Sequence, residues 1–201
     1  MGEILRAVDF GTRLPELLEP HPWVRRVNLA GSRAAGTPTP LSDWDFAVET
    51  GDFAALSDAL PELTAPLEPL AQQWDPLGEH PTYMLMLRGP VKIDLIFFEE
   101  TMTERPPWEV SAETLAAIDA HFWDWILWLA AKRAAGRDDL VGQELEKMHG
   151  YLLRPLGVEA APATIEEAVE GYLRALEKAE RRFGVTVPRA LRDEVLPALS
   201  A

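Results

Sequence analysis

Two aspartates separated by a single residue, Asp43 and Asp45, have the spacing in this sequence that most strongly suggests chemistry. They lie in the run Asp-Trp-Asp-Phe-Ala-Val over residues 43–48, whose alternation predicts a β-strand with both carboxylates on one face. Two carboxylates that point into the same volume repel each other. A hard divalent cation relieves this repulsion, and Mg²⁺ prefers carboxylate oxygens together with phosphate and water.

A glycine and a serine precede this pair. Residues 24–30, Val-Arg-Arg-Val-Asn-Leu-Ala, predict a short strand, and Gly31-Ser32 interrupts it before a compact polar loop. Glycine allows the backbone to approach a phosphate closely, and the serine hydroxyl and adjacent N–H groups can donate to phosphate oxygens. Arg33 and Ser42, near the two ends of the loop, are further candidate phosphate ligands.

Asp94 supplies a third carboxylate. It lies in Lys-Ile-Asp-Leu-Ile-Phe over residues 92–97, which has the alternation of a strand. Three carboxylates from two strands can hold two Mg²⁺ ions, which stabilise the attacking and leaving oxygens in phosphoryl-type transfer. Gly-Ser and Asp-x-Asp are each common alone, but their combination with a third strand aspartate is more specific.

The elements that must position these residues predict an α+β fold, a small mixed sheet with flanking helices followed by a C-terminal helical bundle. Adjacent prolines at 106 and 107 continue neither a helix nor a central strand, so the predicted domains are residues 1–105 and 106–201. The predicted elements of the first domain are a helix over about residues 3–18, strands over 24–30 and 43–48, a helix from an Asp52 cap to about Leu60, and a hairpin of 82–87 and 91–98.

Apolar residues at spacings of three and four predict helices in the second domain. Ser111 is the predicted cap of the first helix, whose apolar stripe covers residues 115–129. A second helix starts at Asp138 or Asp139, and Thr-Ile-Glu-Glu over 164–167 matches a capping box at the start of a third.

Composition narrows the classes of partner. The formal net charge of −14 disfavours long nucleic acids, whose phosphates would be repelled, and favours a cationic acceptor. The alternative is that the acidic surface only confers solubility. The sequence has no cysteine, so neither disulfides nor thiolate zinc sites are expected. The first residues lack the basic and apolar regions of a signal peptide, and the most apolar run, 125–131, is too short to span a bilayer. We therefore expect a cytoplasmic protein without a membrane partner.

The motif resembles that of the nucleotidyltransferase superfamily (polymerase-beta-like), in which Gly-Ser is followed by Asp-x-Asp and by a later acidic strand residue. Residues 31–46 are similar to the branch that contains bacterial antibiotic nucleotidyltransferases, and the resemblance covers about residues 24–98. The helical half resembles the accessory domain of aminoglycoside and lincosamide adenylyltransferases loosely, through residues 125–132 and Arg-Asp-Asp-Leu over 137–140.

The resemblance implies a role for each matching residue. Gly31 and Ser32 would bind the triphosphate of ATP or another nucleoside triphosphate. Asp43 and Asp45 would ligate Mg²⁺. Asp94 would either ligate a second Mg²⁺ ion or take the proton of the acceptor hydroxyl.

Two further positions bear on the resemblance. Ala35 stands where relatives often carry a second basic residue, a departure that affects the grip on the triphosphate and not the carboxylates. Glu144 is a second candidate base, because related enzymes place a carboxylate of the helical domain near the acceptor. The alternative for Glu144 is an exposed helix residue beside Glu146 and Lys147.

These features favour a magnesium-dependent nucleotidyltransferase that moves a nucleoside monophosphate, AMP from ATP, to a hydroxyl of a small cationic acceptor such as an aminoglycoside-like compound. An alternative is a nucleotidyltransferase-type antitoxin that modifies or masks a protein partner, although such modules are typically smaller. A nucleotide-binding protein without transfer activity is a third class. RNA-modifying transferases share the motif, but no basic stretch here would follow a nucleic-acid backbone.

Overall fold

A five-stranded mixed sheet organises the first of the two units into which the chain divides, Met1–Glu104 and Arg105–Ala201. The computed structural model describes residues 9–199. The strands are β1 (Val24–Leu29), β2 (Trp44–Thr50), β3 (Ala71–Trp74), β4 (Thr82–Leu87) and β5 (Val91–Ile96). Their order in the sheet is β1-β2-β5-β4-β3, in which β2 and β5 are parallel and the other neighbours are antiparallel.

Helices flank this sheet. They are α1 (Phe10–Leu18), the single turn α2 (Gly31–Ala34) and α3 (Phe53–Thr64), which a 3₁₀ turn at Ala65–Leu67 follows. The Asp52 carboxylate caps α3 by accepting from Ala55 N, as predicted, and the helix continues past the expected end at Leu60. Residues 3–8 of the predicted opening helix lie outside the described residues.

Most large apolar residues of the sheet lie on one of its faces. Phe46 and Val48 of β2 are buried in the core, whereas Asp45 and Ala47 alternate with them on the opposite face. The core is completed by the apolar stripes of α1 and α3, together with Leu85, Ile93 and Leu95 of the neighbouring strands. The opposite face carries the charged residues of β2 and β5.

The second unit is helical. It contains α4 (Leu115–Ala134), α5 (Asp138–Met148) with a π-helical turn at His149–Leu153, α6 (Ile165–Phe183) and α7 (Ala190–Ala198). The predicted fold class, a small mixed sheet with flanking helices followed by a helical region, is confirmed. Among residues 9–199, none of these helices combines the length and apolarity needed to cross a membrane.

One helix start differs from the sequence pattern, and a second keeps its predicted cap with one altered hydrogen bond. The first helix begins after Thr114 and not after Ser111, whose hydroxyl instead accepts from Glu113 N (3.2 Å) and Thr114 N (3.3 Å) in the preceding turn. At α6, Thr164 accepts from Glu167 N at 3.1 Å as a capping box requires. The returning Glu167 carboxylate binds Ala163 N, one residue before the cap.

A carboxylate lies inside the helical core. Asp119 of α4 is only 4% exposed, and its Oδ1 accepts from Tyr172 OH at 2.6 Å and from Trp123 Nε1 at 3.0 Å. Burial raises the pKa of Asp119 to about 6, against the opposing effect of these two hydrogen bonds. The folded protein therefore binds a proton at Asp119 over a pH range in which the unfolded chain has released it.

This difference predicts a pH-dependent stability. Because the folded-state pKa of Asp119 is raised, its contribution is complete below about pH 4 and is lost as the pH rises through about 6. Asp119→Asn keeps an oxygen for Tyr172 and Trp123 and serves as the reference. Relative to this variant, the free energy of unfolding of the wild type should fall by up to about 3 kcal/mol as the pH rises through this window. Urea denaturation of both proteins at pH 4 to 8 measures it. The exposed substitution Glu159→Gln, which removes the same charge from this unit, should follow the wild type.

Candidate metal centre

The parallel pairing of β2 with β5 brings the three aspartates together. In this register Asp45 lies directly opposite Asp94. Asp43 immediately precedes β2, two residues before Asp45, and therefore faces the same side. One oxygen from each carboxylate lies within 4.8 Å of the others. Such a set of carboxylate oxygens fits a hard divalent cation.

The cluster is largely removed from water. Asp43 and Asp94 are 7% and 8% exposed, and Asp45 is half-buried. Buried carboxylates are costly unless positive charge or hydrogen bonds compensate them. Positively charged side chains beside the aspartates provide part of this compensation.

Lys92 is the cationic group that contacts Asp94. Its Nζ lies 2.5 Å and 2.6 Å from the two carboxylate oxygens of Asp94, and the lysine is only 5% exposed. The sequence motif does not mark Lys92 as a site residue. The available signal was the alternation of β5, which places residues 92 and 94 on the same face.

The electrostatics of Asp94 reflect this environment. Burial raises the pKa of Asp94, and the negative charges of Asp43 and Asp75 act in the same direction. The ammonium of Lys92 opposes them, both as a charge and as a hydrogen-bond donor. Any further cation at the cluster would likewise favour the ionised carboxylate.

Gly31 packs against the carboxylate of Asp45. Its φ of +61° lies in the left-handed region, and a Cβ added there would fall 1.8 Å from Asp45 Oδ2. The neighbouring Ala30 N–H donates to the carbonyl oxygen of Asp45 at 2.7 Å. Both the backbone conformation and the close approach therefore require glycine at this position.

Ser32 presents a buried hydroxyl beside this contact. Within the described residues, its Oγ has no hydrogen-bond partner. Buried polar groups are generally paired, so such a group calls for an explanation, and a ligand oxygen is one. The position of Ser32 next to Gly31 and Asp45 fits the role in triphosphate binding that the sequence predicts.

Arg33 and Ser42 stabilise the loop that precedes β2 through hydrogen bonds with its backbone. Arg33 Nε donates to the carbonyl oxygen of Asp43 at 2.9 Å, and its Nη2 donates to that of Ser42 at 2.6 Å. The guanidinium also lies 4.1 Å from the ring centre of Trp44. The Ser42 hydroxyl accepts from Thr39 N at 2.8 Å. Their predicted contacts with a nucleotide stay predictions.

Glu144 belongs to the second unit, where it is half-buried. Its Oε2 accepts from Trp125 Nε1 at 3.1 Å. The Trp125 ring stacks on His121, with ring centres 5.2 Å apart, and His121 Nδ1 accepts from Trp108 Nε1 at 3.1 Å. Glu144 is thus anchored by an aromatic cluster and is not simply exposed on its helix.

Comparisons with known proteins return one type of match. No protein-family model matches the sequence, and no curated protein matches it. Among solved structures, the chain is similar to the crystal structure of an aminoglycoside 6-adenyltransferase from Bacillus subtilis, with a TM-score of 0.31 and 10% sequence identity. The match covers 94% of each chain. This similarity is distant, and the function proposed below depends instead on the carboxylates and the Gly31-Ser32 turn.

Proposed function

We propose that this protein is a metal-dependent nucleotidyltransferase. The observation that carries the proposal is the convergence of Asp43, Asp45 and Asp94 within 4.8 Å, with the Gly31-Ser32 turn packed directly against Asp45. A purely structural acidic cluster would require neither a glycine against one carboxylate nor a buried, unpartnered hydroxyl beside it. The combination therefore supports a site for a cation together with a phosphate chain.

Each residue of the cluster has a distinct task in this proposal. Asp43 and Asp45 hold Mg²⁺, which supplies positive charge for the oxygens of the reacting phosphates. Gly31 keeps the turn close to Asp45, and the Ser32 hydroxyl donates to a phosphate oxygen of the bound nucleotide. Arg33 fixes the loop that ends at Asp43 through its bonds to two backbone carbonyls.

The reaction is displacement at the α-phosphorus of the nucleotide. The acceptor hydroxyl oxygen forms a bond to this phosphorus, and the bond to the bridging oxygen of pyrophosphate breaks. The hydroxyl proton passes to a carboxylate, for which Asp94 and Glu144 are the candidates. We take ATP as the donor from the resemblance to adenylyltransferases, and the net charge of −14 favours a small cationic acceptor such as an aminoglycoside.

The direct test measures pyrophosphate. Purified protein is incubated with each of the four nucleoside triphosphates and a panel of aminoglycosides, lincosamides and uncharged polyols. We expect release only when Mg²⁺ and a suitable acceptor are both present, with the acceptor gaining the mass of one nucleoside monophosphate. Excess EDTA should abolish release, and added Mg²⁺ should restore it. Nucleotide binding without turnover across the panel would instead favour a binding protein.

A further inference from the structure

Lys92 is held in the cluster more tightly than an ordinary surface lysine. Its ammonium contacts both oxygens of Asp94 within 2.6 Å, and both residues are nearly inaccessible to water. Separating this buried ammonium from Asp94 would weaken the compensation of both charges, which costs several kcal/mol. The pair is therefore a fixed part of the site.

The contact with Lys92 limits how a further cation can bind at Asp94. Both carboxylate oxygens of Asp94 face the ammonium, at 2.5 Å and 2.6 Å. A divalent ion on Asp94 would have to displace this buried ammonium or lie beside its charge, and both are unfavourable. A divalent ion on Asp43 and Asp45 does not require this displacement.

We propose that the Lys92 ammonium takes the place of a second metal ion, so that the cluster binds a single divalent ion through Asp43 and Asp45. This inference rests on the proposed function and replaces the expectation of two ions from the sequence. Lys92 is then a positioning residue, because its ammonium holds the carboxylate of Asp94 in place.

A permanent cation has a functional consequence. A site that needs two free ions responds to Mg²⁺ with a Hill coefficient above one, whereas a site with one ion and a fixed ammonium responds hyperbolically. The single ion would bind Asp43 and Asp45, and the position of the second charge would be independent of the Mg²⁺ concentration. Lys92 would thus supply permanently the positive charge that a second Mg²⁺ ion would otherwise bring.

The test counts bound ions and does not depend on turnover. Full-length protein, saturated with the non-hydrolysable analogue α,β-methylene-ATP, is titrated with Mn²⁺ while free Mn²⁺ is followed by electron paramagnetic resonance. We expect one Mn²⁺ per protein–nucleotide complex in the wild type and in Lys92→Arg, which keeps the charge. Lys92→Met removes the charge from a side chain of similar length and should bind a second Mn²⁺ at least about tenfold more tightly than the wild type does.

The number of bound ions separates the role of Lys92 from the proposed function. Two ions in the wild type would overturn the role of Lys92 while leaving the proposed function intact. No bound Mn²⁺ in the wild type would overturn the proposed function itself. One ion in Lys92→Met, with an unchanged melting temperature, would show that the lysine does not exclude the second ion. If Lys92→Met does not fold, the counts in the wild type and Lys92→Arg decide the matter.

Discussion

Asp45→Asn should reduce nucleotidyl transfer by about a thousandfold or more while leaving the fold intact. Asp45 is the member of the cluster that touches both other parts of the site, since it lies opposite Asp94 in the sheet and against Gly31. Asparagine has the same shape but no negative charge, so the cation loses a principal ligand. A thousandfold corresponds to about 4 kcal/mol of transition-state stabilisation, a typical cost of removing one electrostatic group.

The control removes a carboxylate of the same unit that lies outside the site. Asp52 is exposed and caps α3, a position at which asparagine is equally suitable. Asp52→Asn should therefore keep the wild-type rate of pyrophosphate release and the wild-type melting temperature. Equal rates in Asp45→Asn and the wild type would refute the assignment of the metal centre. A lower melting temperature in Asp45→Asn would point to a structural effect instead.

The sequence predicted which side of each strand carries the aspartates but not which strands are neighbours. The alternation in residues 43–48 was enough to place Asp43 and Asp45 on one face. The parallel pairing that sets Asp45 beside Asp94 joins segments far apart in the chain, and no local pattern specifies it. Only the resemblance of the motif connected the two strands in advance.

Elements with weak local signals were missed. Strand β3, Ala-Gln-Gln-Trp over residues 71–74, has neither alternation nor β-branched residues, and its pairing with β4 defines it. The helix cap was placed at Ser111 because Ser and Thr are both good caps and lie three residues apart. The helix begins after Thr114, whose side chain makes no capping bond and whose hydroxyl donates to the carbonyl oxygen of Glu109 at 2.6 Å.

The role of Lys92 could not be predicted for a different reason. A lysine in a strand is normally an exposed residue whose ammonium reaches water. Its burial here depends on the parallel neighbour and on the acidic face that the sheet assembles, both of which are long-range features. Buried charges of this kind become visible only once the partners of a strand are known.

Gly31→Ala should reduce transfer by about a hundredfold, and this effect should exceed what backbone strain alone produces. The new Cβ would fall 1.8 Å from Asp45 Oδ2, so the carboxylate must move to admit it. A displacement of about 1 Å at a catalytic group can cost a hundredfold in rate. The backbone at φ +61° adds a strain of about 1 kcal/mol, which a thermal melt detects separately.

Gly36 provides the matched control for this prediction. Its φ is +73°, similar to that of Gly31, but a Cβ added there meets nothing within 4 Å. Gly36→Ala should therefore share the loss of stability and keep both Mn²⁺ affinity and the rate of pyrophosphate release. If the two variants lose activity equally, strain in the loop accounts for the effect. If Gly31→Ala alone loses Mn²⁺ affinity, the close approach of the turn to Asp45 is what holds this carboxylate in position for the metal.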